Sequence, residues 1–207
     1  MARIDDFQNA INLAREKLPY YDPEEMCRNA GAELLAPNGA KNIVFPFFVK
    51  KVNIAYPEGT VVYDEGADSI PPQEQGLILH YLLGVNHLPL TGELITFREI
   101  PSGEFYYQPF LTRAQVPLVN TFGYDHELFL KAGKKLGGKE MEVGDASMTF
   151  HPFPKIPITL ILWKGDEEFS PVGNILYDSS IKNFLHVEDI AFLTGTTVYK
   201  LMAISKS

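Results

Sequence analysis

The chain has 207 residues, 45% of them hydrophobic and 12% aromatic, which is enough for a sizeable core and is not the composition of a disordered tail. Its formal net charge of -8 repels nucleic-acid phosphates and excludes a general DNA- or RNA-binding role. The single cysteine, Cys27, excludes an internal disulfide and any cysteine-ligated zinc or iron–sulfur site built by this chain alone. No apolar segment approaches the roughly 20 residues of a membrane span, and the start of the sequence has no hydrophobic signal core. The expectation is a soluble cytoplasmic protein folded as a single domain, 1–207.

Phe7, Ala10, Ile11, Ala14 and Leu18 share one face at helical spacing. A second helix has clear ends: Asp22 as N-cap, Pro23 at its first position, Glu25 at the third, and Gly31 for a left-handed exit. Cys27 lies inside it and reads as a small buried hydrophobe. Residues 1–40 are thus expected as a short helical arm, and 41–207 as the sheet-containing body. From Lys41 the period becomes two. The run Ile43 to Val49 is broken by Pro46, which suits an edge or a bulge. Val52, Ile54 and Tyr56, the turn Pro57-Glu58-Gly59, then Val61 and Tyr63 continue an antiparallel meander. Pro71 and Pro72 open a helix carrying Leu77, Ile78, Leu79, Tyr81, Leu82 and Leu83, which leaves a narrow polar stripe of Gln73, Gly76 and His80. A histidine on so apolar a helix must find a partner, so His80 is a candidate ligand contact. His87 does not stand at the helical spacing of a metal pair.

Leu94 to Ile100 reads as a strand, followed by a polar–aromatic cluster of Arg98, Glu99, Phe105, Tyr106 and Tyr107, also read as extended. Arg98 is the expected partner of a nearby carboxylate or of an anionic ligand. A helix begins near Thr112 with Pro117 in its first turn. Another is capped by Asp125, carries Leu128, Ala132 and Leu136, and ends at Gly137-Gly138. Lys131, Lys134, Lys135 and Lys139 gather around its end, where cations complement the helix dipole. Met148 and Phe150 begin a strand that turns through Pro152, Pro154 and Pro157 into the run Ile158 to Trp163. Ile158, Leu160 and Leu162 point one way, and Thr159, Ile161 and Trp163 the other. Both sets are mainly apolar, so this strand is expected at the centre of a sheet with other elements over both faces. It stops at Gly165 and the acids Asp166, Glu167 and Glu168. Three ionised carboxylates cannot all be buried unpaired, so they read as a solvated rim or as a rim with one or two acids turned inward to a ligand, a metal or an arginine. Asn174 to Tyr177 is a further strand ending at Asp178, and Glu188-Asp189 open the last helix, with Ile190, Leu193, Thr197 and Leu201 inward. The fold class is α+β: a mixed, mainly antiparallel sheet packed with helices.

Gly-rich phosphate loops, HExxH, CxxC and GxSxG are all absent. Several stretches nevertheless form a pattern: Tyr21-Asp22-Pro23-Glu24, Asn29-Ala30-Gly31-Ala32, Leu79-His80-Tyr81-Leu82-Leu83, Phe97-Arg98-Glu99 with Pro101 and Gly103, and Tyr177-Asp178 through Glu188-Asp189. Most specific is Trp163-Lys164-Gly165-Asp166-Glu167-Glu168-Phe169. Over nearly its whole length the chain resembles a prokaryotic family, domain of unknown function 3786, found in bacteria and archaea, often anaerobes. The family brings no activity. Some relatives carry an N-terminal iron–sulfur module of the kind seen in corrinoid proteins of one-carbon metabolism. This chain lacks that module's cysteines, so neither an iron–sulfur cluster nor a structural zinc is expected. The resemblance implies a tetrapyrrole or corrinoid as the cofactor class to consider.

The leading expectation is a soluble small-ligand-binding domain, for a tetrapyrrole, corrinoid or related cofactor in anaerobic metabolism. The candidate binding residues are His80, Arg98, Glu99, Tyr107, Trp163, Asp166, Glu167, Glu168 and Asp178, with His80 as axial ligand. One alternative is a carboxylate-based or hard-metal-dependent enzyme using Asp166, Glu167 or Glu168. Another is a non-catalytic interaction module with a protein partner from an iron–sulfur or corrinoid system.

Overall fold

The computed structural model describes residues 4–66 and 68–207, and the fold is α+β with two antiparallel sheets. The chain forms two compact units. The first takes in the chain up to Pro89 together with Phe153–Lys155 and Asn183–Leu185; the second comprises Leu90–Pro152, Ile156–Lys182 and His186–Ser207.

In the first unit, α1 (Ile4–Lys17) and α2 (Pro23–Ala30) pack on α3 (Pro72–Gly84). The ends of α2 are set locally. The Asp22 carboxylate accepts from the Glu24 and Glu25 amides, and Gly31 closes the helix at φ 65°. The strands β1 (Glu33–Leu35), β2 (Lys41–Phe47), β3 (Lys50–Tyr56) and β4 (Val61–Tyr63) form a sheet in sequence order. Pro46 therefore sits in an inner strand, but β1 reaches only from Asn42 to Val44. The Lys51 carbonyl, opposite Pro46, accepts from the Asp64 amide and so faces β4. Pro46 faces the other way, past the end of β1, where its missing N–H costs the sheet no bond. Helix α3 is buried as its sequence demands. The Tyr81 ring stacks on Phe153 at 4.2 Å, and its hydroxyl donates to the Ala30 carbonyl at 2.8 Å.

The second unit holds β5 (Leu94–Thr96), α4 (Gly103–Phe110), α5 (Val116–Phe122), α6 (His126–Lys135), β6 (Lys139–Met141), β7 (Ala146–Phe153), β8 (Ile156–Trp163), β9 (Val172–Asp178) and α7 (Val187–Ser205). Its sheet runs β5-β9-β8-β7-β6, so β8 is central, as its apolar faces require. Ile158, Leu160 and Leu162 lie opposite Tyr177, Ile175 and Gly173 of β9. Helices close over this face at small residues: Gly133 of α6 lies against Met148 and Phe150, and Val119 of α5 against Gly173. From α7, the Thr194 and Tyr177 hydroxyls pair at 2.8 Å.

The other face is covered too, except at its last residue. Thr159 pairs with Thr149 at 2.8 Å, and Gly144 lies over Ile161, so a loop rather than a helix covers the middle of the strand. Trp163 remains 44% exposed at its end. A correction concerns residues 97–110. Phe97–Glu99 is a 3₁₀ turn, and Tyr106 and Tyr107 lie in a helix, not a strand. Thr96 and Glu99 form a capping box, and a side chain at Gly103 would collide with the Phe97 carbonyl, so the chain turns tightly there. Helix α4 then runs through a π turn, Leu111–Gln115, into α5. Phe110, Ala114, Leu118 and Phe122 are its buried stripe.

Candidate functional site

The second unit concentrates the singular sequence features at the end of β8. Trp163 pairs across the sheet with Val172. The chain leaves Trp163, makes a closed loop, and returns at Pro171. Gly165 is obligatory in that loop, because a Cβ there would sit 2.5 Å from Pro171 Cδ and 2.8 Å from Tyr124 Cε1. Asp166 ties the loop to itself. Its carboxylate accepts from the Glu168 amide at 2.8 Å and the Phe169 amide at 2.7 Å, and its own amide donates to the Phe169 carbonyl. Those amides, Phe169 first, hold the Asp166 carboxyl below the usual range. The neighbouring segment 142–145 is latched on as well. Asp145 donates its amide to the Leu162 carbonyl, and its carboxylate accepts from the Lys164 amide at 2.7 Å.

The loop presents aromatic and aliphatic groups to solvent: Phe169 is 69% exposed and Tyr124 64%, with Val143 and Val172 also open. Glu167 and Glu168 are exposed beside them. The rim is therefore an acidic lip at the end of β8, with Glu167 and Glu168 exposed and the Asp145 and Asp166 carboxylates folded onto backbone amides.

The remaining candidates fall elsewhere. His80 belongs to the first unit and is half-buried on α3. Arg98 and Tyr107 do come together. The guanidinium lies 3.9 Å above the Tyr107 ring, on a stack continued by Phe110 and Phe97. The ion-pair partner of Arg98 is Glu104, at 3.4 Å, rather than an acid of the 166–168 loop. Glu99 accepts from the Thr96 amide at 2.7 Å and hydroxyl at 2.8 Å, which lower its pKa. Asp178 is only 4% exposed and accepts from the Thr91 amide and hydroxyl, the Gly92 amide and the Ser180 amide. Burial alone would raise its pKa, but donors from Ser180, Thr91 and Gly92 outweigh it and bring it to about 2. Glu99 and Asp178 are thus employed in holding turns.

A family model described as Domain of unknown function (DUF3786) matches residues 22–200. The chain belongs to this family. No curated protein and no solved structure matches it. In this DUF3786 chain the match starts at the Asp22 cap and runs into α7, so it includes the Trp163–Phe169 run. Among the described residues, no group of three or more His, Cys, Asp or Glu side chains is placed to hold a metal ion, and no helix is long and apolar enough to cross a membrane. Cys27 is buried, and burial pushes its thiol up to about 11, which leaves almost no thiolate for chemistry at neutral pH.

Sequence reasoning missed Val143 and Tyr124 as parts of the rim. Glu142-Val143-Gly144-Asp145 has the composition of an ordinary turn, and only its latch to Lys164 and Leu162 brings it to Trp163. A signal did exist for Val172, which follows Pro171 directly in the strand that must pair with β8.

Proposed function

We propose that this DUF3786 domain is a non-catalytic interaction module that receives a protein partner at the Trp163 end of β8. The observation that carries this is Trp163 itself: a large aromatic, 44% exposed, fixed at the end of a central strand beside exposed Val172. Exposed apolar side chains gathered on a rigid base mark interaction surfaces, and Trp is enriched at their energetic centres. The carboxylates best placed for chemistry support a structural role instead, since Asp166, Asp145, Glu99 and Asp178 each accept backbone amides. The single buried thiol fits a reducing compartment, and we read the module as cytoplasmic. The test is retention of partners from a native lysate on immobilised wild type and on Trp163→Ser. A protein retained by the first and lost by the second is expected; identical retention profiles would sink the reading.

A second reading keeps the small ligand of tetrapyrrole or corrinoid type. What favours it is His80, a half-buried imidazole on a helix whose neighbouring Leu79 and Tyr81 are fully buried, as an axial ligand would be. Absorbance titration with haem and with cobalamin separates the two. A Soret or corrin band shift that His80→Ala abolishes selects the ligand reading, and unchanged spectra at micromolar protein remove it.

A further inference from the structure

We infer that the partner received at the Trp163 rim presents a basic segment with apolar side chains, a run of Lys or Arg interleaved with Leu, Ile or aromatic residues. This rests on the reading of that rim as an interaction surface and adds the chemistry of what it binds. The segments 142–145 and 163–169 together carry five carboxylates, Glu142, Asp145, Asp166, Glu167 and Glu168, against one lysine, Lys164. Exposed Trp163 and Val172 stand opposite each other at the end of the sheet, and both charged segments adjoin them: 164–169 follows Trp163 directly, and 142–145 is bonded to Leu162 and Lys164. An apolar patch flanked by charge of one sign fits a partner whose apolar side chains are flanked by charge of the other sign. The same charge argues against other occupants. A second copy of this chain docking rim to rim would bring like charge against like. Nucleic-acid phosphates and anionic lipid headgroups are repelled for the same reason. The rim is also ordered in advance. The Asp145–Lys164 and Asp166–Phe169 hydrogen bonds and the close packing at Gly165 fix its backbone, so little ordering entropy is lost on docking.

The probe is a phage-displayed library of random peptides, selected on the full chain and counter-selected on Trp163→Ser. Sequences enriched in a Trp163-dependent way are expected to be rich in Lys and Arg alternating with large apolar residues. The best of them, made as a free peptide, should shift the emission of Trp163, the only tryptophan of the chain. Its affinity should fall about tenfold in the surface variant Glu142→Gln/Glu167→Gln/Glu168→Gln, three rim charges each worth a few tenths of a log unit, and should weaken further with added salt. Trp163-dependent enrichment of neutral or acidic peptides would overturn the basic class while leaving the surface in place. So would an affinity equal in wild type and the triple amide variant. No Trp163-dependent enrichment at all would overturn both. Matching thermal unfolding of wild type and both variants establishes that folding is not what changed.

Discussion

Replacing Asp178 with Asn should destabilise the second unit in a pH-dependent way. In the folded protein the carboxyl titrates at about 2, against 3.8 for the free group. A depressed folded-state pKa stabilises the native form above the unfolded value, and that contribution disappears as pH falls through the folded one. The difference of nearly two units at ~1.4 kcal/mol each gives about 2 kcal/mol near neutrality. Asn keeps one acceptor but turns an NH₂ toward a backbone amide, most directly that of Gly92, which now donates to Oδ2 at 2.7 Å. The expected loss is therefore about 2–3 kcal/mol at neutral pH. It should stay level down to about pH 4 and shrink below that, reaching a small residue near pH 2. Urea unfolding followed through Trp163, which lies in the same unit, measures it. A difference that is constant from neutral pH to about pH 2, or smaller than about 0.5 kcal/mol throughout, would refute the assignment of Asp178 as a charged clasp on Thr91 and Gly92.

Leu160→Ala empties a fully buried position in the central strand and should cost about 2–5 kcal/mol, read from the midpoint of the same urea curve. Gly165→Ala places a methyl against the ring and backbone nitrogen of Pro171 and should cost about 1–3 kcal/mol, visible as a lower thermal midpoint. Cys27 should react with a thiol-specific disulfide reagent at neutral pH only after unfolding, because burial holds its pKa at about 11; fast labelling of the native protein would contradict this. Arg98→Ala removes an exposed contact with Tyr107 and Glu104 and should change stability by less than about 1 kcal/mol in the same melts.

What the sequence made legible was local or had strong periodicity. The cap at Asp22 and the left-handed exit at Gly31 involve only near neighbours, so residue identity decides them. The central position of β8 follows from apolar residues at both parities. The helix from Gly103 to Phe110 was hidden because Phe105-Tyr106-Tyr107 favours strands, while Pro109 argues against a helix interior. The buried stripe at every fourth residue that continues it, from Phe110 to Phe122, was the available counter-signal. The role of Asp178 was out of reach, because its donor Gly92 lies 86 positions away. The disposition of Asp166–Glu168, one acid on its own loop and two exposed, was equally unreadable. A carboxylate next to two others looks the same in sequence whether it meets a ligand or caps its own loop.

The π turn between α4 and α5 lets the helix hold an extra residue without losing its buried face. A turn of this kind holds one residue more than the regular spiral around it. Its signature bond runs from the Val116 amide to the Leu111 carbonyl. Each residue of an α-helix advances it by about 100°, so a stripe at every fourth residue drifts by about 40° a step, and the wide turn offsets that drift between Phe110 and Ala114. Phe110 therefore stays on the buried face with Ala114, Leu118 and Phe122. The irregular turn sets the rotational phase of two half-helices, and family members one residue shorter there should carry an unbroken α-helix with the same aromatics facing inward.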